Sequence, residues 1–454
     1  MASGMRITPL EDWIAGKLGV TGKPVELMER LRIRQLELLN ATLAHAARHS
    51  PFYRRRLGDC RPLVSLSGLA DLPFTTSADL SEQGLQMLAV SQGEIKRIVT
   101  LRSSGTTGQA KRVYFTRSDL EYTKAFFRCG MSRMLQPGQR VLVLLPGELP
   151  DSAGRLLADA LQQQGISCHV AGLVSDPGAI AALLVEEPFD CVVGIPVQVL
   201  GVVRHPLAAE VPTHRIGSVF LTSDYVPSAL VGEIRRVWGC PAVNHYGMTE
   251  LGLTCGVECH ALDGYHLREP DLYFEVVDPV SGAALRAGET GEVVVTTLTR
   301  LGMPLIRYRT GDLARFMAEP CPCGSVLPRL GKVQGRLAAR VDLGGLLKPC
   351  MSDLDEALFS LRGLLNFRAV LTMLDTDRST LQLMIETLPG AERRTRDHVD
   401  RRLPTIPALR AAVAAGRLVL QPTVLADAPL SVSATVKRII EQPQKENANL
   451  ETAC

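Results

Sequence analysis

The sequence predicts an α/β protein, and three changes of texture along its 454 residues carry that reading. Between about 118 and 221, short apolar runs alternate with helical patterns, which predicts a parallel, layered sheet with helices. After about residue 265, strand-like runs alternate with glycine-rich turns, which predicts an antiparallel or barrel-like subdomain. From Gly335-Arg336 the pattern shifts again, to a smaller α+β segment over roughly 337–443. A chain of this length is expected to build one large domain and at least one smaller one. The expected division is 1–336, 337–443 and a polar tail, 444–454, expected to be disordered.

The elements follow in order. Met28, Leu31, Leu36, Leu39 and Leu43 recur at roughly helical spacing within 24–60, and the SPFY stretch at 50–53 breaks that helix. Ser118 and Glu121 have the spacing of a capping box, and a helical pattern runs from there to about Leu135, closed by Gln136-Pro137-Gly138. RVLVLLPG (140–147) is apolar enough for a strand buried on both faces. A helical stretch near 153–164 leads to the strand-like ISCHVAGL. DPGAIAALLVEE reads as a helix, and FDCVVGIP, RIGSVFLTS and PAVNHYG as further strands.

Composition excludes several classes. Hydrophobic residues make up 46% and charged residues 21%, which is globular rather than disordered. A formal net charge of +3 gives no argument for a nucleic-acid or membrane partner. No apolar run reaches the roughly eighteen residues of a membrane span, and MASGMRITPLEDW has no signal-like apolar segment. The cytoplasm is the default compartment. Eleven cysteines, an odd number, favour metal binding or free thiols over a disulfide framework.

Chemistry concentrates in a few short stretches. RSSGTTGQAK (102–111) offers Ser103, Ser104, Gly105, Thr106, Thr107 and Gly108, followed by Lys111. Glycines let backbone N–H groups close on an anion, hydroxyls add donors and the lysine adds charge. Taken alone, the stretch suits either a phosphate cradle or a flexible surface turn, and it is not a Walker A loop. YGMTE stands at 246–250, RYRTGD at 307–312 and GR at 335–336.

Those four elements, in that order, resemble the adenylate-forming enzymes, and the flanking text is similar to phenylacetate–CoA ligases. HSPFYRRRL, DLPFTTSADL, YGMTELG, ECHALDGYH, TTLTRLGMPLIRYRTGDLARF and CPCG carry that likeness over roughly residues 30–340. The resemblance implies ATP-dependent activation of a small carboxylic acid to an acyl-adenylate with release of pyrophosphate. The acyl group then passes to coenzyme A, and the small C-terminal domain rotates between the steps. It implies that the 103–108 loop holds the β- and γ-phosphates and that Tyr246, beside Gly247, lies against adenine. It implies that Thr249 reaches the α-phosphate and that Glu250 helps place Mg²⁺. It implies that Asp312 takes the ribose hydroxyls, for which a carboxylate's two acceptors suit a vicinal diol. It also implies that Arg336 contacts ribose or phosphate at the domain junction. Asp224 lies in Thr222-Ser223-Asp224-Tyr225, where relatives carry a Gly-Ala-Glu-Pro-like turn beside the nucleotide. A homodimer is implied as well, although no interface is legible.

Two features need separate readings. Cys321 and Cys323 on one tight turn, with Cys259 and His266 upstream, offer three sulfurs and an imidazole suited to structural Zn²⁺; Cys255 and His260 are substitutes. Near the C-terminus, the position of the family's usual catalytic lysine falls on Thr435. Lys437, two residues on and on the same face of a strand, either substitutes for it or adenylation is slowed or altered. Two alternatives therefore stand beside the ligase reading: a different acceptor, a carrier-protein thiol or an amine, and a nucleotide-binding protein with impaired catalysis.

Overall fold

The computed structural model describes residues 8–20, 24–59, 61–101, 110–375, 377–430 and 437–442. Its centre is an eight-stranded sheet. In spatial order the strands are Arg329–Leu330, Tyr265–Leu267, Gly256–Glu258, Ala242–Tyr246, Ser218–Leu221, Cys191–Gly194, Arg140–Leu144 and Ser167–Val170. The five strands between 140 and 246 are mutually parallel, as the alternation predicts. The helices Ala153–Gln162, Pro177–Glu186, Pro196–Arg204 and Ser228–Trp238 connect them. Cys191–Gly194 and Ser218–Leu221 are buried at every position, which is why they read as apolar runs rather than as alternations. The edge formed by residues 256–330 turns antiparallel.

The N-terminal helices follow the sequence closely. The helix Pro24–His49 buries Leu31, Leu39 and Leu43 and stops before Ser50, which caps the next helix, Pro51–Leu57. The helix expected from Ser118 instead runs over Arg117–Met131, and its cap is Thr116. Thr116 Oγ1 accepts from the Asp119 N–H, and Asp119 Oδ2 accepts from the Thr116 N–H, so this pair forms the capping box rather than Ser118 with Glu121.

The antiparallel region after 265 contains a three-stranded sheet, Leu272–Val277, Gly291–Thr297 and Tyr308–Ala314. The C-terminal part has its own sheet. Leu364–Met373 pairs with Ser379–Thr387 and with Ile440–Glu441, and the helices Met351–Leu358, Glu392–Arg402 and Pro407–Ala414 accompany it. Residues 437–439 are not in a strand, so the same-face argument for Lys437 does not hold; regular pairing begins at Ile440. Thr435 and the tail from 444 lie outside the described residues.

One buried arginine joins the two parts. Arg204, at the end of the helix Pro196–Arg204, donates to the carbonyl oxygens of Phe359, Leu361 and Leu364, all in the C-terminal part. These carbonyls lie beyond the helix Met351–Leu358, and the guanidinium donates to them across the junction. Among the described residues no helix is long and apolar enough to cross a membrane.

Candidate active site

The strand Ala242–Tyr246 delivers YGMTE to the centre of the molecule. Gly247 is required there, because a Cβ would lie 1.8 Å from the Leu253 carbonyl oxygen and 2.8 Å from His245 Cε1. The chain then makes a 3₁₀ turn, Thr249–Leu251, with Thr249 half-buried and Glu250 buried. The Glu250 carboxylate lies 2.8 Å from Lys111 Nζ and 3.3 Å from the Tyr308 hydroxyl. Burial pushes its pKa up, but the Lys111 ammonium outweighs that and holds the group below the usual range, ionised at neutral pH. Arg300, also buried, donates to the Glu250 carbonyl and, at 2.8 Å, to that of Tyr114, fixing the turn against the strand that begins at Lys111.

A second cluster surrounds Asp312, which is fully buried. Its Oδ2 accepts from the Tyr246 hydroxyl at 3.0 Å, and its Oδ1 accepts from Arg336 Nε at 3.0 Å. Lys437 Nζ stands 3.7 Å from the same Oδ1. Burial again raises the carboxyl, and Lys437 and Arg336 together bring it below its ordinary value. A backbone bridge between Asp312 and Arg336 brings RYRTGD and GR together.

The Asp312 cluster borders a cleft between the large and C-terminal parts, and Arg336, which lines that cleft, also acts electrostatically on Glu250. The cleft there encloses about 740 Å³, its open mouth included. Asp224, His245, Tyr246, Gly247, Arg336 and Lys437 line it. Asp224 accepts from the Tyr225 N–H at 2.9 Å. Tyr225 in turn donates to Glu356 at 2.7 Å, and Lys332 lies 4.1 Å over the Tyr225 ring. Gly194, Ile195 and Pro196, at the end of the strand Cys191–Gly194, are not among the lining residues. Ser103, Ser104, Gly105, Thr106, Thr107 and Gly108 lie outside the described residues, although Lys111, just beyond them, holds Glu250.

Sequence reasoning did not single out Arg300, Tyr308, Lys332 or Glu356. Tyr308 stands inside RYRTGD and Arg300 inside TTLTRLG, so membership of those stretches was the available signal. Lys332 and Glu356 stand in no such motif.

The cysteine cluster is assembled as proposed from its spacing. The ligand atoms of Cys259, His266, Cys321 and Cys323 all lie within 4.8 Å of one another, and all four residues are buried. Cys259 Sγ is 3.5 Å from Cys321 Sγ, and Cys323 Sγ is 3.4 Å from His266 Nε2. Zn–S bonds of about 2.3 Å imply tetrahedral edges near 3.8 Å, so this donor set fits Zn²⁺ with small adjustment. The two substitutes sit elsewhere: Cys255 is not in the cluster, and the exposed His260 faces Arg133 at 2.8 Å.

With this geometry in place, comparison with known proteins is informative. Residues 96–299 match the family of AMP-binding enzymes. The phenylacetate-coenzyme A ligase of Thermus thermophilus is 30% identical over 329 residues, spanning 68% of this chain and 71% of that protein. The chain belongs to the adenylate-forming enzymes, in the phenylacetate–coenzyme A ligase family. It is by that membership an AMP-forming acyl-CoA synthetase. The Escherichia coli ligase of the same name is 29% identical over 333 residues, 69% of this chain and 73% of its own length. Among solved structures, a 2-hydroxyisobutyryl-CoA ligase in its postadenylation state superposes with a TM-score of 0.75 at 19% identity, covering 92% of this chain and 90% of that one. The same ligase with coenzyme A in the thioesterification state gives 0.63, with 90% of each chain covered and 20% identity. The family fold is thus a large N-terminal domain with a small C-terminal one.

Proposed function

We propose that this protein joins a small carboxylic acid to the AMP moiety of ATP and passes the acyl group to coenzyme A. The observation that supports this best is a pair of buried, ionised carboxylates, Glu250 and Asp312, each held by cations from distant segments, with Arg336 on the cleft wall acting on both.

In this reading Asp312 accepts from the two ribose hydroxyls, and Tyr246, tied to it, sets the nucleoside position. Arg336 and Lys437 stand beside the same carboxylate, where their charge meets the phosphate end of the nucleotide. The loop 103–108 and Lys111 hold the leaving β- and γ-phosphates. A carboxylate oxygen of the acid attacks the α-phosphorus, the bond to the bridging oxygen breaks, and pyrophosphate leaves. Thr249 sits at the turn that faces the α-phosphate. Glu250 fits a hard divalent cation such as Mg²⁺, because Lys111 keeps it ionised although it is buried. Such an ion supplies positive charge against the phosphate oxygens. In the second step the coenzyme A thiol attacks the acyl carbonyl and AMP departs.

Residues 1–336 would be the adenylating domain and 337–443 the lid that changes position between the two steps. Arg204 and its three carbonyls form a contact that this movement must release. The Cys259, His266, Cys321 and Cys323 set would hold a structural Zn²⁺ that ties the loop after Tyr308–Ala314 to the antiparallel edge of the large sheet.

The test is product analysis. Full-length protein is incubated with ATP, Mg²⁺, coenzyme A and a panel of aryl and alkyl carboxylic acids. AMP and an acyl-CoA thioester in equal amounts support the reading. Acid-dependent AMP formation without thioester would move the acceptor to another thiol or an amine.

A further inference from the structure

His245 precedes Tyr246 on the strand Ala242–Tyr246 and lines the cleft, yet no step above uses it. It is only 6% exposed. Its Nδ1 lies 2.9 Å from Thr222 Oγ1. Its Nε2 is buried and meets no hydrogen-bond partner among the described residues. Buried polar atoms in native proteins are paired, so an orphan on the wall of a substrate cleft marks a place for a ligand atom.

Strand geometry separates this position from the nucleotide. Successive side chains point to opposite faces, so His245 and Tyr246 look in opposite directions. Tyr246 faces Asp312. His245 is instead flanked by aromatic rings, with Phe220 at 5.3 Å and Phe127 at 6.2 Å between centroids. Those surroundings suit the carbon part of an acid rather than a phosphate.

The hydrogen bond with Thr222 is compatible with either tautomer, and the two differ in how many groups they leave without a protein partner. If the Thr222 hydroxyl donates to Nδ1, the hydrogen sits on Nε2 and one group is left unpaired. The other tautomer leaves both the Nε2 lone pair and the hydroxyl hydrogen without a protein partner. The first arrangement satisfies more groups. Burial also pushes the imidazole pKa down to about 3, so the ring stays neutral at working pH.

We infer that His245 reads the acyl part of the substrate, with Nε2–H donating to a neutral acceptor oxygen that the acid carries beyond its carboxylate. A hydroxyl, carbonyl or ether oxygen would serve. A second carboxylate would not, because a neutral donor does not offset a buried charge. This inference rests on the proposed acid-activating function and adds the substrate class to it.

The experiment is ATP–pyrophosphate exchange with matched acids: phenylacetate against its ring-hydroxylated analogues, and hexanoate against 5-oxohexanoate and adipate. Wild-type protein is expected to show kcat/KM at least about tenfold higher for one acceptor-bearing acid than for its parent, and to reject adipate. His245→Leu is expected to remove that preference, lowering kcat/KM for the acceptor-bearing acid while leaving the parent acid unchanged or improved. His245→Gln, which keeps a neutral donor, is expected to retain part of it. A purely structural role would lower every acid alike. Equal wild-type activity across each pair, or an equal loss for all acids in His245→Leu, would overturn the inference. If His245→Leu does not fold, the wild-type preference and the glutamine variant decide. Exchange without preference sinks this inference alone, whereas no exchange with any acid sinks the acid-activating function with it.

Discussion

The Tyr246 hydroxyl donates to Asp312 Oδ2 across 3.0 Å, joining two motifs that stand 66 residues apart in the chain. The bond fixes the phenol and occupies one lobe of a carboxylate whose other lobe meets Arg336. Asp312 is therefore oriented before any nucleotide arrives.

Asp312→Asn removes the charge and replaces one acceptor with a donor. Loss of a charge-assisted hydrogen bond of this kind is expected to raise KM for ATP about 10- to 100-fold. Tyr246→Phe, which frees but does not discharge Asp312, should give a smaller rise. Steady-state kinetics against ATP at saturating acid, with melting temperature as a folding control, checks both. Equal KM values in wild type and Asp312→Asn would count against the ribose role.

Lys437 is the described C-terminal cation nearest Asp312, and the usual lysine position falls on Thr435. If Lys437 supplies the missing charge, Lys437→Ala should slow pyrophosphate release about 100-fold. Thioester formation from a supplied acyl-adenylate should change little. Unchanged release would show that Lys437 is not the substitute cation.

The four-residue thiol and imidazole cluster predicts about one zinc per purified chain by elemental analysis. Cys323→Ser should lose most of that zinc and lower the melting temperature. Burial, together with the neighbouring Cys321, pushes the Cys323 thiol up to about 12, so the thiolate that ligation needs depends on the charge of the ion. Metal-free protein with an unchanged melting temperature would contradict the assignment.

Glu269 gives a pH test away from the cleft. Its carboxyl is buried, its Oε2 has no partner among the described residues, and burial raises its pKa to about 8 against an ordinary 4.5. The folded protein thus keeps a proton that the unfolded chain sheds. Its contribution is fully present below pH 4.5 and is lost as pH rises through about 8. Glu269→Gln mimics the protonated form. It should melt with wild type at pH 5 and about 2 °C or more above it at pH 9. An equal offset at both pH values would contradict this.

Four of the five parallel strands were legible because they are buried on both faces and read as apolar runs; the edge strand Ser167–Val170 is partly exposed, and the helices Pro196–Arg204 and Ser228–Trp238 were not read from the sequence. The capping error arose from two overlapping candidates. Thr116 and Ser118 each have an acid three residues on, and only the turn geometry selects Thr116 with Asp119. Site residues inside motifs could be named from the text. Their pairing could not, since Lys111 and Glu250 are 139 residues apart and nothing local encodes the contact. Lys332, Glu356 and Arg204 are single charged residues outside any motif, and only tertiary packing gives them partners. Lys437 was assigned a strand face, but residues 437–439 precede regular pairing.

The central claim is that a carboxylic acid is activated on AMP in the cleft lined by Tyr246, Arg336 and Lys437, with Glu250 ionised nearby. Exchange of labelled pyrophosphate into ATP, without coenzyme A, tests it most directly because only the adenylating step contributes. The account predicts exchange that requires a carboxylic acid and falls at least about 100-fold in Glu250→Gln. Exchange that ignores the acid, or that survives Glu250→Gln at the wild-type rate, would contradict it.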